Sequence, residues 1–438
     1  HVGMGLIGIV AIAFIYMAFE DPNIYAHRDS IMFNANAFDV VLKEYKALGP
    51  FSFFGFRIKG YRENIEIHGK DQMEEAVGKI GEQLIKYFPH TALFYNDGSF
   101  AILSKKQQNF VFMRDRVENL FTQGWKVKNT ELYFTPIFAA IDESYDLSTS
   151  GDIIQSVKNA LVYREKLNKP YDTKISKEEF EKIRQELHIK RILSVANQEN
   201  LMRMYLQPIV EAKTGKVVGA EVLMHLVDEE GNILYPDTFI PIAETNGKIN
   251  GLGTNIYTCA CDCFSKYNED IGLEWVNVNL SPIQCLNPGL PALFESIARK
   301  HMVSMENIHL EITEESMIST DRLIEFMEDM EKRGFRFSLD DYGSGYSNIL
   351  RMKNLPFLNL KLDKKLIWEH FKSPDKTLPT VIRGLKNMGY TITAEGVETE
   401  EMVRELSHLG VDFLQGYYFS KPIPAEEFVE IYSKKDNS

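Results

Sequence analysis

The chain has 438 residues, 44% of them apolar and 25% charged, the composition of an ordinary globular protein with two or three well-cored domains. Its net charge of −13 argues against a non-specific nucleic-acid binder, which carries a basic face, but leaves room for a nucleotide substrate whose charge is met by metal ions. Three of the four cysteines (Cys259, Cys261, Cys263, with Cys285 apart) alternate along one helical stretch, and no His stands at ligand spacing, so they read as reduced cytosolic thiols.

In chain order, Val2 to Phe19 is uncharged and almost wholly apolar, the length of a membrane span. A helix apolar all round is uncommon in a soluble domain. A signal peptide fits worse, for want of a basic start and a small-residue cleavage site. The expectation is a transmembrane helix over residues 1–20, ending near Glu20-Asp21-Pro22, in a chain whose opening His1 suggests a fragment.

Residues 21–168 mix helix and strand. Ala37 to Leu42 reads as amphipathic helix, Phe51 to Ile58 as a strand, and Met73 to Phe88 as a helix with apolar residues every three or four positions. His90 to Tyr95 and Phe100 to Leu103 flank Asn96-Asp97-Gly98-Ser99, which is hairpin chemistry. With Asn96-Asp97-Gly98-Ser99-Phe100 in place of the signature and Asn34-Ala35-Asn36-Ala37-Phe38 upstream, the region resembles a GGDEF domain, the fold of diguanylate cyclases. That resemblance implies a degenerate member. Gly98 and Ser99 stand where the signature has acids, and Arg57 and Lys59 stand near the upstream strand's acidic positions, where cations cannot hold Mg²⁺. The product-inhibition Arg-x-x-Asp motif is also absent, so a regulatory or dimerising role is expected. A linker follows over residues 169–195. Asn168-Lys169-Pro170-Tyr171-Asp172 breaks the pattern, and Ser176-Lys177-Glu178-Glu179 forms a capping box opening a helix with Phe180, Ile183 and Leu187 on one face.

From Met204 onward strand-like and helical stretches alternate at βα spacing, which suggests a barrel or doubly wound sheet. Seven apolar strands in succession end on a metal-ligand or hydrogen-bonding residue: Glu221, Asn279, Glu311 (with Glu314), Asp340-Asp341, Lys361 (with Asp363), Glu395 (with Glu398) and Gln415. Adjacent strand residues face opposite ways, so Asp340 and Asp341 can share a site only where the strand ends and the backbone turns. In a (β/α)₈ barrel such ends converge on one face. The oxygen-rich set favours Mg²⁺ or Mn²⁺, and several carboxylates beside one lysine suit two-metal phosphodiester hydrolysis.

The same residues, with Gln207-Pro208-Ile209-Val210, Asn279-Leu280-Ser281, Asp340 to Ser347, Leu360-Lys361-Leu362-Asp363, Ala394 to Thr399 and Gln415-Gly416-Tyr417, resemble an EAL domain over residues 196–438. The family cleaves cyclic di-GMP to linear pGpG on a modified TIM barrel with one strand reversed. The resemblance implies that Glu221, Asn279, Glu311 and Asp340 hold a first Mg²⁺ or Mn²⁺, and that Asp340, Asp341 and Glu395 hold a second. Lys361 and Glu395 then activate water, Gln207 and Gln415 touch substrate, Glu314 anchors the Gly343-Ser344-Gly345 loop, and Glu398 supports the site. It also implies a homodimer through this domain, and with the apolar segment an inner-membrane protein whose catalytic domains are cytoplasmic. Three positions depart from the family pattern: Val222 for the signature Ala, His225 for an Arg that clasps a substrate phosphate, and Leu358 for an acid. The alternative reading, a non-catalytic cyclic di-GMP receptor, is disfavoured because every metal and water-activating position is retained.

Overall fold

The computed structural model describes residues 32–34, 37, 40–42, 50–142, 150–167, 173–197, 200–314, 321–343 and 355–433. The apolar segment Val2–Phe19, Phe38 and Asp39 of the Ala37–Leu42 helix, the Asn168–Asp172 break and Ser344-Gly345 of the glycine loop lie outside these residues. Among the described residues no helix is long and apolar enough to cross a membrane. The expected transmembrane element and inner-membrane localisation are therefore corrected.

The chain divides into two compact units, residues 1–187 and 188–438. In the first, β1 (Ser52–Ile58), α1 (Tyr61–His68), α2 (Lys70–Tyr87), β2 (Ala92–Asn96), β3 (Ser99–Ser104), α3 (Phe110–Phe121), a short β4–β5 hairpin (Trp125–Val127, Thr130–Leu132), β6 (Pro136–Asp142) and α4 (Ser150–Leu167) follow in order. The sheet runs β2-β3-β1-β6, antiparallel throughout. The β2–β3 connection is the tight turn that Asp97-Gly98 announces. Both residues have positive φ (44° and 77°), the geometry that matches strand twist in a two-residue hairpin. Helix α5 (Lys177–Val195) opens as its sequence indicates, with Ser176 Oγ accepting the Glu179 N–H at 3.1 Å. Phe180 and Ile183 are buried in the first unit's core, and Arg164 forks onto Glu179 at 2.8 and 3.0 Å. Farther along α5, Ile189, Ile192 and Leu193 belong to the core of the second unit.

That second unit comprises β7 (Met202–Glu211), β8 (Val217–Val227), β9 (Ile233–Leu234), α6 (Pro236–Thr245), α7 (Ile249–Ile271), β10 (Trp275–Asn279), α8 (Pro282–Cys285), α9 (Leu290–Lys300), β11 (Ile308–Thr313), α10 (Asp321–Lys332), β12 (Arg336–Tyr342), β13 (Phe357–Leu362), α11 (Lys364–Lys372), α12 (Thr377–Asn387), β14 (Thr391–Ala394), α13 (Glu400–Leu409), β15 (Phe413–Leu414), β16 (Ile423–Pro424) and α14 (Ala425–Tyr432). Strands β8, β10, β11, β12, β13, β14 and β15 are parallel neighbours, and β7 pairs antiparallel with both β15 and β8, closing an eight-stranded barrel. One reversed strand in a TIM-like barrel is the architecture anticipated from the motifs.

Strand alternation then sorts the residues. Ala220, Val222, Val276, Val278, Leu310, Ile312, Phe337, Leu339, Leu360, Leu362, Ile392 and Leu414 are buried in one apolar cluster with helix residues such as Phe239, Tyr257 and Phe294. The alternate positions, aligned across neighbouring strands, are polar: Glu221 with Gln207 and Asn277, Asn279 with Glu311, Ser338 with Asn359, and Lys361 with Thr393. They form the inner face of the barrel. Toward the strands' N-terminal ends that face is closed by Trp275, stacked on His309 (5.3 Å) and edge-on to Phe413 (5.0 Å).

A substitution in the first unit tests the hairpin geometry. A Cβ at position 98 would lie 2.3 Å from Tyr61 Cγ, and φ there is +77°. Gly98→Ala is expected to destabilise this unit by about 1–3 kcal/mol, as overpacking does. Chemical denaturation reads this, and an unchanged midpoint would contradict the placement of Tyr61 over the turn.

Candidate active site

The inner face of the barrel delivers its polar side chains to one end. Glu221 leaves β8 one residue before that strand's last pairing with β10 but, contrary to expectation, not where the strand stops. The strand continues to Val227 as a hairpin arm against β7. Asn279 ends β10, Glu311 and Lys361 sit one or two residues before the ends of β11 and β13, and Glu395 and Gln415 immediately follow β14 and β15.

Lys361 is the hub. Its side chain is 1% exposed, and its Nζ lies 2.8 Å from Glu395, 3.1 Å from Glu311, and 3.2 Å from both Glu221 and Asp340. Amides finish the frame. Asn279 Nδ2 donates to Glu221 Oε1 (3.0 Å), Gln415 Nε2 to Glu221 Oε2 (2.6 Å) and Gln207 Oε1 (3.0 Å), and Asn277 Nδ2 to Glu311 Oε1 (2.5 Å). Asn277 has no counterpart among the residues singled out from sequence. It lies inside a strand, and only the inward alternation of β10 marks it.

Asp340 and Asp341 do reach the same place. The pairing of β12 with β13 loses register between Leu339 and Tyr342, and Asp341 has φ +56°. A left-handed non-glycine residue is uncommon and concentrates at functional sites. Here it undoes the strict alternation that would send the two carboxylates to opposite faces. Oxygens of Asp340, Asp341 and Glu395 all lie within 4.8 Å of one another.

The electrostatics follow from crowding. Burial opposes ionisation of Glu221, but Lys361 and the Gln415 and Asn279 amides outweigh it and hold this carboxyl below its ordinary range. For the other four acids, burial and their mutual repulsion win over Lys361. Glu311 and Asp340 are pushed up, Asp341 to about 6 and Glu395 to about 8. Burial disfavours the charged Lys361, yet its four acidic neighbours hold it well above its usual value. One ammonium among five carboxylates leaves the site short of positive charge. Asp340 Oδ1, buried and 3.2 Å from Lys361, has no aligned hydrogen bond. Hard oxygen donors, an uncompensated negative charge and a convergent carboxylate trio fit divalent cations such as Mg²⁺ or Mn²⁺.

The remaining expected residues are placed less uniformly. Glu314 is buried and accepts the Gly343 N–H at 3.1 Å, at the start of the glycine loop. Gln207 also donates to the Ser420 carbonyl at 3.1 Å. His225 is buried between Tyr205 (4.1 Å) and Tyr235 (5.4 Å), and burial holds its imidazole below its ordinary pKa. Glu398 is exposed, and its backbone N–H is directed at Met402 Sδ (3.3 Å). Val222 turns outward into the apolar core, away from the carboxylates, and Leu358 is 44% exposed. Beside the acids lies a cleft of about 620 Å³, walled by residues including Asp237, Ile240, Glu244, Ile256 and Leu280 and open to Asp340 and Asp341.

Residues 190–422, more than half of the chain, match the EAL domain family. The chain is 29% identical over 335 residues to the oxygen sensor protein DosP of Escherichia coli (strain K12), covering 74% of this chain and 41% of that protein. It is 31% identical over 249 residues to a probable cyclic di-GMP phosphodiesterase, PdeI, of the same organism, covering 55% and 32%. It therefore spans well under half the length of these relatives. A solved structure described as the PaMucR phosphodiesterase in complex with c-di-GMP is 29% identical and superposes with a TM-score of 0.52, over 55% of this chain and 99% of that one. Sequence, closed barrel and convergent site together lead to one assignment: the chain belongs to the EAL domain family.

Proposed function

We propose that this chain hydrolyses cyclic di-GMP to linear pGpG, with Glu221, Asn279, Glu311 and Asp340 holding one Mg²⁺ or Mn²⁺ and Asp340, Asp341 and Glu395 a second. The observation that carries the proposal is the set of four carboxylates around the buried Lys361, with Asp341 beside Asp340 and Glu395 as a fifth. The names of PdeI and of the MucR structure support the substrate.

When bound, the cations polarise the phosphodiester and lower the pKa of the attacking water. The protein's own groups do the rest. Glu395, which lies 2.8 Å from Lys361 and shares the carboxylate trio with Asp340 and Asp341, accepts a proton from the attacking water as the ionised carboxylate. Lys361 fixes the orientation of four of the acids. Gln207 and Gln415, which Gln415 Nε2 joins to each other and to Glu221, contact the substrate. The cleft beside Asp340 and Asp341 takes a base. Water oxygen bonds to phosphorus, the P–O3′ bond breaks, and the leaving 3′-oxygen takes up a proton, which yields a 5′-phosphate.

We extend the reading to the first unit as a catalytically silent GGDEF-like domain retained for regulation. Its β2–β3 turn is held by a cation of the chain. The Arg57 guanidinium donates to the Asp97 carbonyl (3.0 Å) and Ser99 Oγ (3.1 Å) and pairs with Glu165 (3.0 Å). Tyr61 covers Gly98, and its hydroxyl bonds Tyr95 at 2.7 Å. Among the described residues, a positive side chain and a filled turn occupy the place a metal would take.

Three outcomes test this reading. Glu221→Ala and Lys361→Ala are each expected to abolish conversion of cyclic di-GMP to pGpG with Mg²⁺ or Mn²⁺, and near-normal turnover in either would refute the assigned roles. His225→Arg is expected to lower KM about tenfold with kcat nearly unchanged, since a charge-assisted bond to phosphate contributes about 1.5–3 kcal/mol. An unchanged KM would show that this position lies off the phosphate. The third concerns pH. Glu395 goes from an ordinary 4.5 to about 8 in the folded protein, and Asp341 from 3.8 to about 6. The folded state then binds more protons than the unfolded one, so in EDTA stability falls as pH rises from about 4.5 to 8. Added Mn²⁺ is expected to raise Tm most at the upper end of that window. A Tm in EDTA that rises with pH would contradict the crowding of these acids.

A further inference from the structure

Glu395 stands outside regular structure. Strand β14 ends at Ala394 and helix α13 begins at Glu400, so the intervening turn depends on bonds from outside itself. Among the described residues four such bonds meet its backbone, one of them from the Tyr418 N–H to the Val397 carbonyl at 2.9 Å. Glu395 N–H reaches the Leu362 carbonyl at 3.2 Å, Val397 N–H reaches the Gln415 carbonyl at 3.1 Å, and the Trp368 indole Nε1–H donates to the Gly396 carbonyl at 2.8 Å. The shortest comes from a side chain that no motif of the sequence includes.

Trp368 and Lys364 are four residues apart on α11 and share a face. The turn sits directly on that face. Gly396 has φ +66°, and a Cβ there would lie 2.5 Å from Lys364 Cβ and 3.1 Å from Trp368 Nε1. The Lys364 ammonium in turn lies 5.9 Å from the indole centroid, which favours one ring orientation. The ring itself is 40% exposed. Part of the ring thus stays in solvent while its N–H is engaged by the turn. The carbonyl it holds belongs to the residue after Glu395, whose Oε1 is 2.8 Å from Lys361 and whose carboxylate joins Asp340 and Asp341.

We propose that Trp368 is a positioning residue for Glu395: its indole N–H pins the Gly396 carbonyl and thereby sets where the Glu395 carboxylate stands. The proposal rests on the two-metal reading above. Trp368→Phe, which keeps a ring and removes the donor, is compared with wild type in the full chain. So is site-specific replacement of Trp368 by its benzothienyl isostere, in which sulfur takes the place of N–H. The readouts are kcat and KM for cyclic di-GMP, Mn²⁺ affinity by EPR without substrate, and Tm. Both replacements are expected to lower kcat about ten- to a hundredfold, the scale of a small misplacement of a catalytic group. KM should stay within about twofold, and Mn²⁺ affinity should weaken for one ion of two. Unchanged kcat and Mn²⁺ affinity in the isostere, whether or not Tm falls, would overturn the proposal and leave Trp368 a packing residue. If wild type binds Mn²⁺ but does not cleave cyclic di-GMP, the phosphodiesterase reading fails. The positioning claim is then judged by Mn²⁺ affinity alone.

Discussion

The second unit is arranged around a charge imbalance. A single buried ammonium, Lys361, faces four carboxylates within 3.2 Å, and a fifth, Asp341, stands beside Asp340. Unit charges this close interact by several kcal/mol even at an effective dielectric near 20. An excess of like charge is therefore unfavourable unless protons or cations relieve it. Raised carboxyl pKa values are one form of that relief. Divalent cations are the other, and only they leave every oxygen free to act as a ligand.

The barrel makes such crowding tolerable because its two faces are divided so cleanly. Outward positions of each strand are apolar and bury under the helices, which supplies the stability. Inward positions are free to carry amides and acids, and register carries them across strands: Asn277 to Glu311, Asn279 to Glu221, Gln415 to Gln207. Reversed strand β7 contributes by setting Gln207 opposite Glu221 in an antiparallel pair. A local exception completes the site, where the irregular end of β12 and the left-handed Asp341 turn two consecutive acids to one side.

Much of this was legible in the residues. Seven strand-like runs leading to Glu221, Asn279, Glu311, Asp340, Lys361, Glu395 and Gln415 pointed to a barrel or a doubly wound sheet, and the EAL resemblance selected the barrel, in which such residues converge on one face. The Asp97-Gly98 turn and the Ser176 cap were equally readable, being local chemistry. Asn277 was not, since an amide inside a strand carries no local signal until the inward face is known. Trp368 was hidden for a different reason: its partner is a backbone carbonyl 28 positions away, and no pattern in a sequence marks a carbonyl. The family resemblance made Glu398 a support of the site, and the turn leaves it exposed. The apolar N-terminal run predicted a membrane anchor from composition alone, and no described helix meets the requirement for a span.

The first unit follows another logic. Its turn is closed by Arg57, Tyr61 and Tyr95, and the chemistry we propose belongs to the barrel. The most direct test of that division is ³¹P NMR of cyclic di-GMP with the full chain and Mn²⁺. Hydrolysis in the barrel predicts that the phosphodiester resonance of the cyclic dinucleotide gives way to one diester and one 5′-phosphomonoester of pGpG. Persistence of the cyclic substrate while it is demonstrably bound would contradict it.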